Sequence, residues 1–420
     1  MNKHFSELGR EIKEPPISWL MKLTIDNPRL ISLAAGFTDS QTLPLKESLE
    51  IVKKILTDKG QGRRALQYGS TEGDLQLRKL TADRLKKLDE SDTAAYSPNR
   101  LLITNGSQQL LYILVEALCS KEDIVLIEAP TYFVFLAILQ SHNVHTKNIT
   151  IDPDGINIEC LKSTLKNLDD SHKLQKVKFL YSITYFQNPT AYTTSIEKKE
   201  EILNILKYYS KKAGHPIYYV EDAAYRELRF SGKDVRSALS FNNLNRNVIY
   251  AGTYSKPFAT GIRVGYALLP DELFTVIKRI KGNHDFGTAN FLQQTIAESI
   301  RSGAYERHLK TISERYYKKA SLMEKAIKQH LKVNYVPPQG GLYFWVALPD
   351  KEKTGFNSKV FKNALKNNVL YVPGELCYGS DPEFKTPRNK MRLSFGYATE
   401  FEITEGIKRL GTAIKAAAKS

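Results

Sequence analysis

Cysteine is scarce in this chain: Cys119, Cys160 and Cys377 are the three among 420 residues, far apart and without a CxxC pair. That excludes a disulfide framework and a zinc ribbon, and it fits a reducing compartment. The eight histidines fall in no ligand-like spacing, so metal catalysis has no support. Long apolar runs are missing as well. The most apolar stretches, Leu110–Leu118 and Tyr132–Leu139, fall well short of the roughly 20 residues a membrane span needs. Met1 to Pro16 carries charges throughout with no apolar centre, which is not the make-up of a secretory signal. The expected location is the cytoplasm. Neither a GxxxxGK[ST] loop nor a GxGxxG fingerprint follows any strand-like run, which disfavours a nucleotide-binding enzyme.

Acidic residues are outnumbered: 45 Asp and Glu face 61 Lys and Arg, a net charge of +16. The basic residues are spread along polar stretches such as Lys318–Lys328 and Lys351–Lys366 rather than clustered, so they read as general surface charge, not as a nucleic-acid or membrane footprint.

What is present is the composition of a globular protein, 42% hydrophobic and 25% charged, long enough for about two or three domain-sized units. Pro16–Thr24 reads as a short apolar helix and Leu30–Gly36 as a strand. Leu45–Lys59 and Asp74–Leu88 read as amphipathic helices on either side of the turn-rich Gln67–Gly73. Short apolar runs then alternate with helix-length segments: Leu101–Thr104, Ile124–Ile127, Val177–Ile183, Ile217–Val220 and Val248–Ala251. This alternation predicts an α/β fold with a mostly parallel sheet covered by helices. After about Ala304 the texture changes to a long helix (Glu306–Leu331), Leu342–Val346, a helix at Asn357–Asn367, Leu370–Val372, Met391–Phe395 and a final helix. The expected division is a large domain over 46–303 and a smaller α+β domain over 304–420, which the first 45 residues join.

Ligands of open α/β sheets gather at the carboxyl ends of the strands. The polar residues at those ends form a coherent set: Gly106-Ser107-Gln108, Asn188, Asp222 and Tyr225, then Thr253, Ser255 and Lys256, with Arg263 seven residues after the lysine. A Gly-Ser opening a helix suits a phosphate, and Thr253, Ser255 and Arg263 can add donors to it. A lysine desolvated among cationic neighbours can lose its proton and form an imine. Asp222 can keep a pyridine nitrogen protonated, Asn188 and Tyr225 can hydrogen-bond a ring oxygen, and Tyr132 can stack on the ring. Each residue alone has a plainer use: Asp222 as a helix cap, Tyr132 as core packing, Asn188-Pro189 as an ordinary turn.

Together with QYGSTEG (67–73), ITNGSQQ (103–109), Asn188-Pro189-Thr190, EDAAY (221–225), GTYSKPFATGIRVGY (252–266), GGLYFW (340–345) and MRLSF (391–395), they resemble the fold-type I, class I/II pyridoxal-phosphate aminotransferases along nearly the whole chain. The resemblance implies a large domain with a mostly parallel seven-stranded sheet between helices. It implies that Lys256 is the Schiff-base lysine and proton carrier, with Asp222 on the pyridine nitrogen, Asn188 and Tyr225 on the 3-oxygen and Tyr132 against the ring. Ser107, Gln108, Ser255 and Arg263 would bind phosphate, and Arg392 would clamp the substrate carboxylate, helped by the backbone near Gly36. Tyr68, and with it Thr288, would reach the phosphate of a partner subunit, so a homodimer with composite sites is implied.

The chain departs from the family pattern at Ala191, Thr260 and Ala224, none of which removes a reacting group. Pro16–Thr24, Asp285–Asn290 and the GGLYFW run are most similar to the 2-aminoadipate/kynurenine branch, whose members use 2-aminoadipate, aromatic or branched-chain amino acids and 2-oxoglutarate. Trp19, Met21, Leu23, Phe37 and Tyr68 are candidates for an apolar side-chain pocket, for core or for dimer interface. The same residues would also serve a lyase, a synthase or an oxidase, because the cofactor supplies the electron sink in each. A transcription regulator with an aminotransferase-like domain needs a DNA-binding module, and the 35 residues before Gly36 are too few for one.

Overall fold

A computed structural model describes residues 4–12 and 16–419, so the expectation for Met1–Pro16 falls partly outside the described residues. Among the described residues thirteen strands run in chain order: β1 (Ile31–Ser32), β2 (Leu101–Thr104), β3 (Ile124–Ala129), β4 (His145–Asp152), β5 (Gly155–Ile156), β6 (Val177–Ile183), β7 (Tyr218–Asp222), β8 (Val248–Thr253), β9 (Gly265–Leu268), β10 (Tyr343–Ala347), β11 (Val369–Leu370), β12 (Val372–Pro373) and β13 (Lys390–Ser394).

The main sheet has the order β2-β9-β8-β7-β6-β3-β4-β5. Its centre is parallel from β4 to β8, and β9 runs antiparallel between β8 and β2. The expected seven strands are present, with the two-residue β5 folding back on β4 as an eighth. β2, β3, β7 and β8 are buried at every position, which is why they read in sequence as unbroken apolar runs rather than alternating ones. Helices such as Gly106–Leu118 and Ile196–Ala213 cover the sheet.

β4 and β9 were not anticipated. β4 carries the polar sequence HTKNITID, and β9 lies inside a segment read for its glycines rather than its apolar content. β9 needs those glycines. A Cβ on Gly265 would sit 2.5 Å from the Gly106 carbonyl carbon and 2.7 Å from the Ser107 nitrogen, so the strand and the helix start touch backbone to backbone.

Two expected elements differ from their anticipated extents. Leu45–Lys59 breaks after Thr57, because the Asp58 backbone is extended and its carboxylate accepts the Gln61 N–H (2.9 Å), capping a second helix, Lys59–Leu66. Of Leu30–Gly36 only Ile31 and Ser32 pair, in parallel with Val369 and Leu370, so the N-terminal segment is stitched to the C-terminal part of the chain. The carbonyls beyond them, those of Ala34 and Gly36, face side-chain cations instead of a neighbouring strand.

The C-terminal part holds a three-stranded antiparallel sheet, β10-β13-β12, and the long helix Ala304–His330 packed along the last helix, Glu400–Ala418, which also meets β1 and β11. Thr399 opens the last helix with a capping box to Glu402. No helix among the described residues is long and apolar enough to cross a membrane.

Candidate active site

A cavity of about 370 Å³ opens at the carboxyl ends of β6, β7 and β8. Ser107, Gln108, Tyr132, Asn188, Asp222, Tyr225, Thr253, Ser255, Lys256 and Arg263, expected at the site from sequence, all line it. These residues span 157 positions of the chain, and the strand order brings them to one edge, with Arg263 in the turn that leads into the antiparallel β9.

One end of the cavity is built for an anion. The Gly106–Leu118 helix begins there without a side-chain cap, leaving its first N–H groups and the positive end of its dipole open. Gly106 has φ +67°, and a Cβ there would lie 2.6 Å from Arg263 Nη2, so glycine is what lets the guanidinium approach the helix start. Arg263 Nη1 donates to Ser255 Oγ (3.2 Å). Thr253 has a local duty: its hydroxyl accepts the Ser255 N–H (3.0 Å), fixing the turn that carries Ser255 and Lys256.

At the other end Asp222 is buried, with 4% exposure. Its carboxylate accepts from the Tyr181 hydroxyl (2.7 Å) and the Ala224 N–H (3.0 Å). Burial pushes its pKa up, and the two hydrogen bonds offset part of that rise. Among the described residues it has no cationic partner. A protonated ring nitrogen would complete it.

Lys256 lies between the two ends. Its Nζ donates to the Gly36 carbonyl (2.8 Å). Burial, with the charges of Arg392 and Arg263, lowers its pKa to about 8, so the unprotonated amine becomes accessible just above neutral pH. Tyr132 lines the same space, and its hydroxyl reaches Gln108 Oε1 (3.4 Å). An uncapped helix start beside Arg263, a half-buried lysine and a buried carboxylate without a counter-charge form a donor set that fits pyridoxal phosphate at three points.

Arg392, on β13, is 2% exposed. Its Nη1 donates to Asn188 Oδ1 and its Nη2 to the Ala34 carbonyl, both at 2.8 Å, and its guanidinium lies 4.2 Å from the centre of the Tyr343 ring. Its Nε has no partner, and among the described residues no carboxylate pairs with it.

The sequence model of the family described as aminotransferase class I and II matches residues 28–410. The chain belongs to this family. It is therefore an aminotransferase, and the group it works with is pyridoxal phosphate. The chain is 32% identical to the aromatic-amino-acid aminotransferase 1 of Thermococcus litoralis, over 98% of this chain and 94% of that protein. Among solved structures, the kynurenine aminotransferase of Pyrococcus horikoshii, in complex with PMP, superposes with a TM-score of 0.90 at 31% identity, covering 100% of this chain and 98% of that one. The α-aminoadipate aminotransferase LysN of Thermus thermophilus, complexed with N-(5'-phosphopyridoxyl)-L-leucine, gives a TM-score of 0.84 at 28% identity, with 99% and 98% covered.

Other residues beside this cavity had no role assigned from sequence. Tyr343 hydrogen-bonds Tyr225, hydroxyl to hydroxyl (3.0 Å), and stands beside Arg392. Tyr181 holds Asp222, and Phe133 lies under the Arg392 guanidinium (5.4 Å). Each is an aromatic residue in or beside a buried element, so only position in the fold separates it from core.

The five candidates for an apolar pocket divide. Met21 and Phe37 line a second cavity of about 280 Å³ with Leu20, Ala34 and Tyr397, while Trp19 packs edge-on against Phe356 (4.9 Å) and Leu23 against the core. Phe37 lines both cavities and so forms their shared wall. Tyr68 does not line the cavity of Lys256 in its own chain. It is 84% exposed, meets Phe286 edge to face (5.5 Å), and lines a separate surface hollow with Thr288.

Proposed function

We propose that this aminotransferase moves the amino group of an L-amino acid of the aromatic, branched-chain or 2-aminoadipate type to a 2-oxo acid such as 2-oxoglutarate, with Lys256 carrying the cofactor as a Schiff base. The observation that carries this reading is Arg392: a buried guanidinium that lacks a carboxylate and is hydrogen-bonded to Asn188, which lines the cavity of Lys256. Burying an unpaired cation is costly, and the α-carboxylate common to amino acids and 2-oxo acids would supply the missing charge.

Bound pyridoxal phosphate supplies an electron sink that makes the substrate α-proton acidic. The chain provides the rest. Lys256, with its lowered pKa, would take the proton from the substrate α-carbon as a general base and return it as a general acid at the cofactor's C4′ carbon, two atoms away. Asp222 holds the ring nitrogen protonated, Asn188 and Tyr225 hold the ring oxygen, and Tyr132 supports the ring face. Ser107, Gln108, Ser255 and Arg263 anchor the phosphate. Arg392 and the Gly36 backbone orient the substrate carboxylate.

The second cavity, with no charged side chain in its lining, suits an aromatic or branched apolar side chain that passes Phe37. Tyr68, exposed on a surface with Leu66 and Phe286, suits a contact with the phosphate of a second copy, making the working unit a homodimer.

The test is product analysis with a panel of amino acids and 2-oxoglutarate. Aminotransfer yields a new 2-oxo acid and glutamate in equal amounts without free ammonia. Ammonia release without glutamate would replace this reading with a lyase or an oxidase.

A further inference from the structure

Glu128, the fifth residue of β3, is 1% exposed, and among the described residues no cation pairs with it. Burial, assisted by the charge of Asp222, pushes its pKa up to about 7. Such a group costs stability, so packing does not explain it.

Its contacts lead to the site. Oε1 accepts from the Ser182 hydroxyl, and Oε2 accepts from the Ile183 N–H (3.0 Å) and from Gln187 Nε2 (3.1 Å). Gln187 is itself buried. Its Nε2 also donates to the Pro130 carbonyl (2.6 Å), and its Oε1 accepts from the Thr190 N–H (2.9 Å) and hydroxyl (2.8 Å). Thus one carboxylate, acting through one amide, ties together the loop 130–132 that presents Tyr132 and the loop 187–190 that presents Asn188, the partner of Arg392.

We propose that Glu128 is a positioning residue: by hydrogen bonds through Gln187, it holds Tyr132 and Asn188 in register with each other and so sets the grip of Arg392 on the substrate carboxylate. The inference rests on the roles given above to Tyr132, Asn188 and Arg392. It concerns geometry, not charge. Glutamine at 128 can keep an oxygen at the Oε2 position, and its amide can donate to Ser182, whose hydroxyl can turn to accept. Leucine can do neither.

The experiment compares Glu128→Leu, Glu128→Gln, Gln187→Leu and the double variant E128L/Q187L as holoenzymes. KM for an amino acid and for a 2-oxo acid is measured, together with the affinity of the cofactor-stripped protein for pyridoxal phosphate by fluorescence titration. E128L and Q187L are expected to raise both KM values about tenfold and to weaken cofactor binding, as the loss of a buried hydrogen-bond hub implies. E128Q stays within about twofold of the parent, and the double variant is no worse than E128L because the two residues act in series. Unchanged KM values and cofactor affinity in E128L and Q187L overturn the proposal, as does an E128Q variant as impaired as E128L, which would assign the effect to charge. Should E128L not fold, Q187L alone decides between these outcomes. A parent enzyme that moves no amino group would remove the proposed function, while the cofactor titrations would still read the Glu128 claim.

Discussion

Arg392 Nη1 donates to Asn188 Oδ1 at 2.8 Å, joining the carboxylate-binding candidate on β13 to the cofactor-binding candidate past β6. Neither is free to move without the other. Arg392→Ala is expected to raise KM for amino acids and 2-oxo acids alike, by about ten- to a hundredfold, because both carry the α-carboxylate. Arg392→Lys should recover little, since an ammonium lacks the planar fork. Steady-state kinetics with both substrates checks this, and an effect on one substrate alone would place Arg392 at the side chain.

Lys256 has its pKa lowered to about 8 by burial and by Arg392 and Arg263. Uptake of pyridoxal phosphate by the cofactor-stripped protein should therefore accelerate as pH rises through about 8 and then level off. Removing a neighbouring positive charge raises a lysine pKa, so Arg263→Gln should move that inflection to higher pH. Stopped-flow absorbance against pH measures both. Lys256→Ala should abolish the visible cofactor band and nearly all turnover.

The same shift predicts a stability trend for the cofactor-free protein. The folded-state pKa lies below that of the unfolded chain, so between about 8 and 10.5 the unfolded chain holds more protons at this site. The penalty Lys256 imposes is full below about pH 8 and fades as pH rises toward 10.5. The gain in Tm from Lys256→Met should accordingly be larger at pH 7 than at pH 10.

Asp222 is held by Tyr181 and the Ala224 N–H. Asp222→Ala should weaken cofactor binding and cost at least about a hundredfold in kcat, because the charge facing the ring nitrogen is lost. Tyr181→Phe removes one hydrogen bond from the carboxylate and leaves the carboxylate in place. Its effect should stay within about tenfold.

Ala191 sits at φ +62°, a left-handed backbone that costs an L-residue with a Cβ roughly 1–2 kcal/mol. Ala191→Gly is expected to stabilise the fold by about 1 kcal/mol, less the entropy glycine adds to the unfolded chain. Urea unfolding measures it, and a destabilised variant would mean that the methyl group contributes packing.

The chemistry was legible in the residue order. Lys256, Asp222, Asn188, Tyr225 and Ser107 each follow an apolar run whose carboxyl end a parallel sheet puts on one edge, and Arg263 comes seven residues after the lysine, in the turn before the antiparallel β9. The strands β2 and β6 were read to the residue, because their largely buried apolar runs are bounded by polar and turn-forming residues. β4 escaped notice because a polar strand beside the sheet edge carries no such signal, and Asp58 split a helix whose periodicity runs straight through it.

Local pattern thus determined most of the elements and the candidate site residues, since propensity, turn chemistry and the strand-end rule act over a few residues. Tertiary structure alone decided the pairings across long separations. Arg392 meets Asn188 across 204 positions, Lys256 meets the Gly36 carbonyl across 220, and Tyr343 reaches Tyr225 across 118. The lowered pKa of Lys256, the missing counter-charges of Asp222 and Arg392, and the Glu128–Gln187 hub exist only once those residues are buried together, because desolvation and Coulomb forces depend on distance in space and not along the chain.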